Sequence, residues 1–432
     1  MKEKNVKAKT PNKKVLGLTT KIFIALLAGA VLGIVLCYLV PDSSFKKDVI
    51  VEGILYVVGQ GFIRLMKMLV VPLVFCSLVC GSMAIGDTKK LGTVGVRTLA
   101  FYLATTALAV CVALGVGNLI NPGVGLDMSA IQSSAASVET MEATSLTDTI
   151  LNIIPDNPIN SLASGSMLQV IVFALIVGVI LAKMGERAET VANFFSQFND
   201  IMMEMTMMIM SLAPIGVFCL MTNVVAVNGA DIIGKLALII GVAYLGYIVH
   251  VVVVYGLSVK FLSKMSPIKF FKGLAPAMIT AFTTTSSNAT LPVNIECCNK
   301  MGAEPEISSF VLPLGATINM DGTAIYQAVC AVFIACCYGV QLTLGDMAMI
   351  VLTATLASVG TAGVSGAGMI MLAMVLTQVG LPVEGIAIIA GVDKLFDMGR
   401  TTLNITGDAT CALFISRLER EKAAKKAAKA AE

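Results

Sequence analysis

Apolar residues are grouped into long segments along most of this chain, separated by short polar connections. A helix needs about 20 apolar residues to cross a membrane, so segments of about 30 residues or more are expected to be tilted or kinked. The pattern predicts eight membrane-crossing helices, at residues 21–40, 51–84, 93–120, 166–183, 191–226, 231–263, 307–338 and 384–416.

Two further apolar segments, residues 265–297 and 345–377, are interrupted by small polar residues at 283–290 and 358–368. Basic residues on both sides of the first segment place its ends in the cytoplasm, so the second must begin and end outside. Non-helical backbone at membrane depth needs protein or water around it. We therefore predict two re-entrant hairpins that enter from opposite sides. The alternative is a glycine-rich surface for helix packing.

The composition is typical of a membrane protein, with 57% hydrophobic and 13% charged residues, whereas soluble domains have about 25% charged residues. No Lys or Arg lies between Arg97 and Lys183, so the loop in that region is expected outside and both termini in the cytoplasm. The net charge of +3 is too small to indicate a nucleic-acid partner. We predict an all-α polytopic protein of the plasma (bacterial inner) membrane.

The cysteines and the single histidine do not indicate an enzyme. The eleven Cys lack metal-ligand spacing and are interpreted as reduced, buried residues. Gly363-Val364-Ser365-Gly366 matches the GxSG of rhomboid-type intramembrane proteases, which need a His as general base. His250 lies in an apolar segment, where we expect a packing or interface role.

A stripe of polar side chains lies in the last apolar segment. If residues 393–408 are helical, five polar residues follow one another at gaps of four, three, four and four and share one face. They are Asp393, Asp397, Arg400, Asn404 and Asp408. A charge at the centre of a membrane helix costs roughly 2.5–3.5 kcal/mol, so the stripe must face protein, water or a ligand. A soluble amphipathic helix or a purely structural ion pair are the alternatives.

A second pairing of Asn and Asp beside Gly occurs in NMDGT, residues 319–323, and each pairing follows an interrupted segment. Such paired interruptions indicate an inverted repeat with a site near the membrane midplane. Carboxylate, amide and backbone oxygens suit a hard cation, and isolated Asp residues favour Na⁺ over Ca²⁺. Hairpin tips suit one carboxylate, Arg400 a second carboxylate, and Asp397 an ammonium group. The expected ligand is an acidic amino acid.

Several motifs resemble those of the glutamate transporter family of dicarboxylate/amino acid:cation symporters. They are FIRLMKMLVVPLVF at 62–75, SSNATLP at 286–292, NMDGT at 319–323, GTAG at 360–363 and DMGRTTLNITGD at 397–408. The resemblance covers roughly residues 20–418. It implies inverted repeats, elevator-type alternating access and a homotrimer.

The resemblance also divides the chain into a scaffold and a transport domain. Residues 1–20 are expected to be a basic cytoplasmic tail, 21–92 scaffold helices 1 and 2, 93–121 transport-domain helix 3, 122–230 an external loop with scaffold helices 4 and 5, 231–418 the rest of the transport domain with both hairpins, and 419–432 a cytoplasmic tail.

By motif match, Asp397 is expected to bind the substrate amino group and Arg400 its side-chain carboxylate, with Asp393 supporting Arg400. The other expected substrate contacts are Ser287, Thr323, Gly363, Thr401 and Asn404. Met320 is expected to lie between the substrate and the ions.

The resemblance implies three sites for co-transported Na⁺. The first is expected to use Asp408 with carbonyl groups of Gly315, Asn319 and Asn404. The second is expected to use carbonyl groups of Thr317, Ser358, Val359 and Thr361. The third is expected to use Asp321 with Tyr102, Thr105, Thr106 and Asn319.

The chain departs from its relatives at five positions near the site. Archaeal members have Arg where this chain has Thr285, and animal members have Arg where this chain has Met398. Lys394 is an unusual cation near these positions. Ser365 replaces a Pro, and Gln327 replaces the Glu linked to proton coupling in animal members.

The sequence predicts a sodium-coupled importer of aspartate or glutamate, with Na⁺ as co-transported ion and no organic cofactor. The expected partners are an amino-acid substrate, sodium ions, the lipid bilayer and two further copies of the chain. The alternatives are a neutral amino-acid or C4-dicarboxylate symporter, proton-coupled glutamate symport, and an anion channel.

Overall fold

Helices account for every regular element in residues 17–86, 93–123, 154–359 and 367–431, the ranges described by the structure, a computed structural model. The helices are α1 Leu18–Tyr38, α2 Tyr56–Gly86, α3 Thr93–Ile120, α4 Pro158–Ser164, α5 Met167–Met184, α6 Glu189–Ser211, α7 Ala213–Asn228, α8 Asp231–Val249, α9 Gly256–Phe261, α10 Pro267–Thr284, α11 Ser287–Lys300, α12 Pro305–Ile318, α13 Asp321–Cys337, α14 Leu344–Ser358, α15 Ala367–Gln378, α16 Ile386–Ala390 and α17 Asp393–Ala431. Two π-helical segments, Phe45–Leu55 and His250–Tyr255, precede α2 and follow α8. Short 3₁₀ turns lie at Gly185–Ala188 and Val383–Gly385.

Six helical segments of the described ranges are long and apolar enough to cross a membrane. They are Thr20–Tyr38, Phe45–Met83, Thr93–Ile120, Gln169–Ser211, Ile232–Phe261 and Pro305–Cys337. Shorter apolar helices occupy Ala213–Val227, Leu344–Ser358 and Ala367–Gln378. The protein is therefore a multi-pass membrane protein, and the count of eight crossings stays a prediction.

Three of the long segments, each expected to be tilted or kinked, are divided into two helices in the structure. Residues 191–226 separate into α6 and α7 at Leu212, because Pro214, the second residue of α7, lacks the N–H that would continue the helical ladder from α6. Residues 307–338 separate into α12 and α13, since Asn319 has extended backbone angles (φ −90°, ψ 96°). Residues 384–416 separate at 391–392, where α16 ends and α17 begins.

The helix α13 lies at the centre of the fold. In its segment, Pro305–Cys337, 94% of the most apolar stretch is buried inside the protein, against 28% in Thr20–Tyr38. It packs against α3, α8, α15 and α17, whereas α1 packs along α7, and α2 packs against α5, α6 and α7. Polar residues on α13 and α17 are therefore enclosed by other helices.

Each interrupted segment forms two helices that pack on one another. In the first, α10 is followed by Thr285, which adopts the left-handed conformation (φ 53°), and Ser286 caps α11 by accepting from Ala289 N at 3.3 Å. In the second, α14 and α15 are in contact, and the expected tip at 360–366 lies outside the described residues.

Candidate substrate and ion site

The five polar residues of the predicted stripe lie on one buried face of α17. Each is between 1% and 4% exposed, although α17 is the most polar long helix of the described chain. The face is covered by α10, α11, α12 and α13. The prediction that these charges face protein, and not lipid, is confirmed.

Arg400 lies between two carboxylates of its own helix. Its Nε donates to Asp397 Oδ1 at 2.9 Å, its Nη2 lies 2.8 Å from the same oxygen, and its Nη1 donates to Asp393 Oδ1 at 3.1 Å. The guanidinium carbon lies 4.8 Å from the ring centre of Tyr326. A Cβ on Gly368, at the start of α15, would collide with the guanidinium, so this glycine lets α15 approach Arg400.

Lys394 contacts the same carboxylate from the other side. Its Nζ lies 3.4 Å from Asp397 Oδ2 and also donates to Thr285 Oγ1 in the turn between α10 and α11. Lys394 and Thr285 are both departures from related sequences, and the sequence does not indicate that they meet. Their contact with each other depends on how α17 packs against the first hairpin.

Asn404 joins α17 to the start of α13. Its Oδ1 accepts from Gly322 N at 2.8 Å, and its Nδ2 lies 3.2 Å from Met320 Sδ and 3.5 Å from Thr323 Oγ1. Thr401 and Ser287, the latter in the first turn of α11, are also buried. Gly363 lies outside the described residues.

A second polar cluster lies one turn further along α17, around Asp408. Asn319 Nδ2 donates to Asp408 Oδ1 and to Asn404 O, both at 2.9 Å. The buried Oδ1 of Asn319 has no partner among the described residues. A Cβ on Gly315 would collide with the Asp408 carboxylate and come within 2.6 Å of Tyr102 OH. The expected first Na⁺ ligands are therefore neighbours.

Asp321 has three buried side-chain partners. Thr106 Oγ1 donates to its Oδ1 at 2.5 Å, while Tyr255 OH donates to its Oδ2 at 2.6 Å. His250 Nε2 lies 3.2 Å from the same Oδ2. His250, for which a packing or interface role was expected, therefore also contacts an expected ion ligand.

The sequence does not indicate that His250 and Tyr255 meet at Asp321, because they lie five residues apart, a spacing that separates two side chains on an α-helix. The segment that joins them is π-helical, and its i to i+5 spacing brings their rings to 4.7 Å between centroids.

The other expected ion ligands lie at helix ends and in α3. Thr105 Oγ1 donates to Tyr102 O at 3.1 Å, Thr106 Oγ1 lies 2.8 Å from the same carbonyl oxygen, and Tyr102 OH donates to Val311 O at 3.1 Å. Thr317 lies in the last turn of α12, and Ser358 and Val359 end α14. Thr361 lies outside the described residues.

Interrupted helices that enclose buried charges near the middle of a helical bundle are typical of secondary transporters. The sequence profile of the Sodium:dicarboxylate symporter family matches residues 18–418. The chain belongs to this family. It is a membrane transporter of the symporter class and not an enzyme.

Curated relatives cover nearly the whole chain. The "Proton/sodium-glutamate symport protein" of Bacillus caldotenax is 34% identical over 94% of this chain and 95% of its own length. The "Proton/glutamate-aspartate symporter" of Escherichia coli (strain K12) is 35% identical over 95% and 94%. The "C4-dicarboxylate transport protein" of Bordetella avium (strain 197N) is 32% identical over 93% and 89%.

Proposed function

We propose that the protein is a sodium-coupled symporter that imports acidic amino acids, aspartate or glutamate. The observation that carries this proposal is the buried Arg400, paired with Asp393 and Asp397. Relatives named for glutamate and aspartate transport support this substrate class.

Substrate binding is proposed as an exchange of ion pairs. An arginine has five N–H donors in a planar fork that matches a carboxylate. In the structure Asp393 and Asp397 take several of them. A substrate carboxylate replaces Asp397 at Arg400, and Asp397 then accepts the substrate ammonium. No buried charge is left unpaired, which keeps the cost of desolvation low.

Sodium is proposed as the coupling ion because of the two polar clusters around Asp408 and Asp321. Each cluster combines one carboxylate with neutral side chains that carry oxygen atoms. Asp408 lies beside the amide of Asn319, and Asp321 lies beside hydroxyls of Thr106 and Tyr255. Within the described ranges, no three His, Cys, Asp or Glu side chains form a metal-binding group. A single carboxylate with neutral oxygens suits the charge of a monovalent cation.

We further propose eight crossings with two re-entrant hairpins, a homotrimer, the bacterial inner membrane as location and cytoplasmic termini. The packing supports the proposed division into scaffold and transport domain. The helices α1, α2, α5, α6 and α7 pack among themselves, and α3 and α8 pack against α13, which contacts α17. An elevator motion moves the second group past the first.

The test is uptake of radiolabelled aspartate into proteoliposomes that contain the purified protein. An inward sodium gradient is expected to drive accumulation, and the same gradient of choline is expected to drive none. Equal uptake with both ions contradicts sodium coupling. A proton gradient without sodium is the third condition, because relatives are named for proton coupling. Accumulation under the proton gradient alone would show that the coupling ion is the proton and not sodium.

A second candidate substrate is a C4-dicarboxylate, since relatives named for such transport match the chain over similar lengths. Succinate and aspartate differ by one amino group, so competition between them separates the two candidates. Serine in the same assay tests neutral amino acids.

A further inference from the structure

Asp397 carries a different cation on each of its oxygens. Arg400 binds Oδ1 at 2.8 Å, and Lys394 Nζ lies 3.4 Å from Oδ2. The side chains of Asp397 and Arg400 are each 3% exposed and that of Lys394 is 15% exposed. The pairing therefore lies inside the protein, where charge interactions are screened much less than at the surface.

The charges at this end of α17 sum to zero. Asp393 and Asp397 contribute two negative charges, and Lys394 and Arg400 contribute two positive charges. The ammonium group of Lys394 lies 3.4 Å from Asp397 Oδ2. This is the carboxylate oxygen that would otherwise be available to bind the amino group of the substrate. The protein thus already supplies the cation that an acidic amino acid brings with it.

The first hairpin holds Lys394 in this position. Its Nζ donates to Thr285 Oγ1, and Thr285 adopts a left-handed backbone (φ 53°) at the end of α10. This conformation is unfavourable for a β-branched residue. The hydroxyl that meets Lys394 belongs to a turn whose position is set by the packing of α10 and α11 on α17.

We propose that Lys394 is the residue that sets the preference between acidic amino acids and dicarboxylates without an amino group. Its ammonium neutralises Asp397 in place of a substrate amino group and repels that group when it enters. The site accordingly accepts an amino-free C4-dicarboxylate beside aspartate. This inference rests on the proposed function, because it concerns the same substrate site.

The test compares binding of L-aspartate and succinate to the purified full-length protein in saturating sodium, by calorimetry. Lys394→Met removes the charge, and Lys394→Gln removes the charge but keeps a donor for Thr285. In both variants the ratio of the Kd for succinate to the Kd for aspartate is expected to rise by about ten-fold or more. Lys394→Arg keeps the charge and is expected to keep the ratio.

The matched control is Lys272→Met, which removes an exposed charge from the same hairpin and is expected to leave the ratio unchanged. An unchanged or lower ratio in either Lys394→Met or Lys394→Gln overturns the role of Lys394. If the unaltered protein binds neither compound, the proposed function fails instead. The two failures are therefore distinguishable.

Discussion

Asn319 and Asp408 join the break between α12 and α13 to the middle of α17, through a hydrogen bond of 2.9 Å from Asn319 Nδ2 to Asp408 Oδ1. The same amide leaves its Oδ1 buried and without a partner in the described part of the chain. A buried acceptor without a donor is unfavourable, and a cation bound at the proposed ion site would relieve this cost. This pair is the strongest structural support for an ion site.

Replacing Asp408 by Asn is expected to abolish the dependence of aspartate uptake on sodium, because the Asn319–Asp408 cluster loses the carboxylate of Asp408. Uptake under an inward sodium gradient should fall by about ten-fold or more. The measurement is initial uptake rate against sodium concentration in proteoliposomes. Asp48→Asn, at an exposed position before α2, should keep the sodium dependence. A sodium response in Asp408→Asn equal to that of the unaltered protein contradicts this role.

Replacing Arg400 by Thr is expected to weaken acidic substrates and to spare or improve neutral ones. Truncating one partner of a buried charge pair costs about 2–5 kcal/mol, so aspartate should bind about thirty-fold or more weakly. Competition of aspartate, glutamate and serine against radiolabelled uptake measures the preference. Arg64→Thr on α2, where the side chain is exposed, is the control. An unchanged preference for acidic over neutral substrates would show that Arg400 does not bind the side-chain carboxylate of the substrate.

Tyr255→Phe is expected to destabilise the protein in sodium-free buffer, since Asp321 loses a donor at 2.6 Å. A buried acceptor that loses its partner costs about 1–3 kcal/mol, which lowers the midpoint of thermal unfolding. Tyr247→Phe is a matched control, because the buried hydroxyl of Tyr247 has no hydrogen-bond partner among the described residues. Equal midpoints of thermal unfolding for the two variants would show that the hydrogen bond from Tyr255 to Asp321 does not stabilise the protein.

Lys67 on α2 pairs with Glu384 in the turn before α16, at 2.8 Å, and each side chain is 36% exposed. Such a pair contributes about 0–1 kcal/mol, so it is weak enough to break during the proposed elevator motion. Lys67→Met is expected to lower the maximal uptake rate by about a few-fold. The KM for aspartate is expected to stay the same.

The charge-reversed double variant, Lys67→Glu with Glu384→Lys, is expected to recover the rate of the unaltered protein, because it rebuilds the pair. A changed KM in Lys67→Met, or a double variant no better than the single one, would show that the pair does not link the two groups of helices during transport.

Much of the site was predictable because it lies within single helices. The spacing of Asp393, Asp397 and Arg400 determines that they share a face of α17, whatever surrounds that helix. The Asn–Asp motifs at the breaks were equally visible, because Gly and Asn beside Asp mark interrupted helices in an apolar sequence.

The sequence by itself therefore determined the helical class, the interrupted segments, the polar face of α17 and the family. Only the tertiary structure decided which side chains from different helices meet. Lys394 meets Thr285 because α10 packs on α17, and His250 meets Asp321 because a π-helical segment turns it inward. Helical periodicity is local, whereas these contacts depend on the packing of segments distant in sequence.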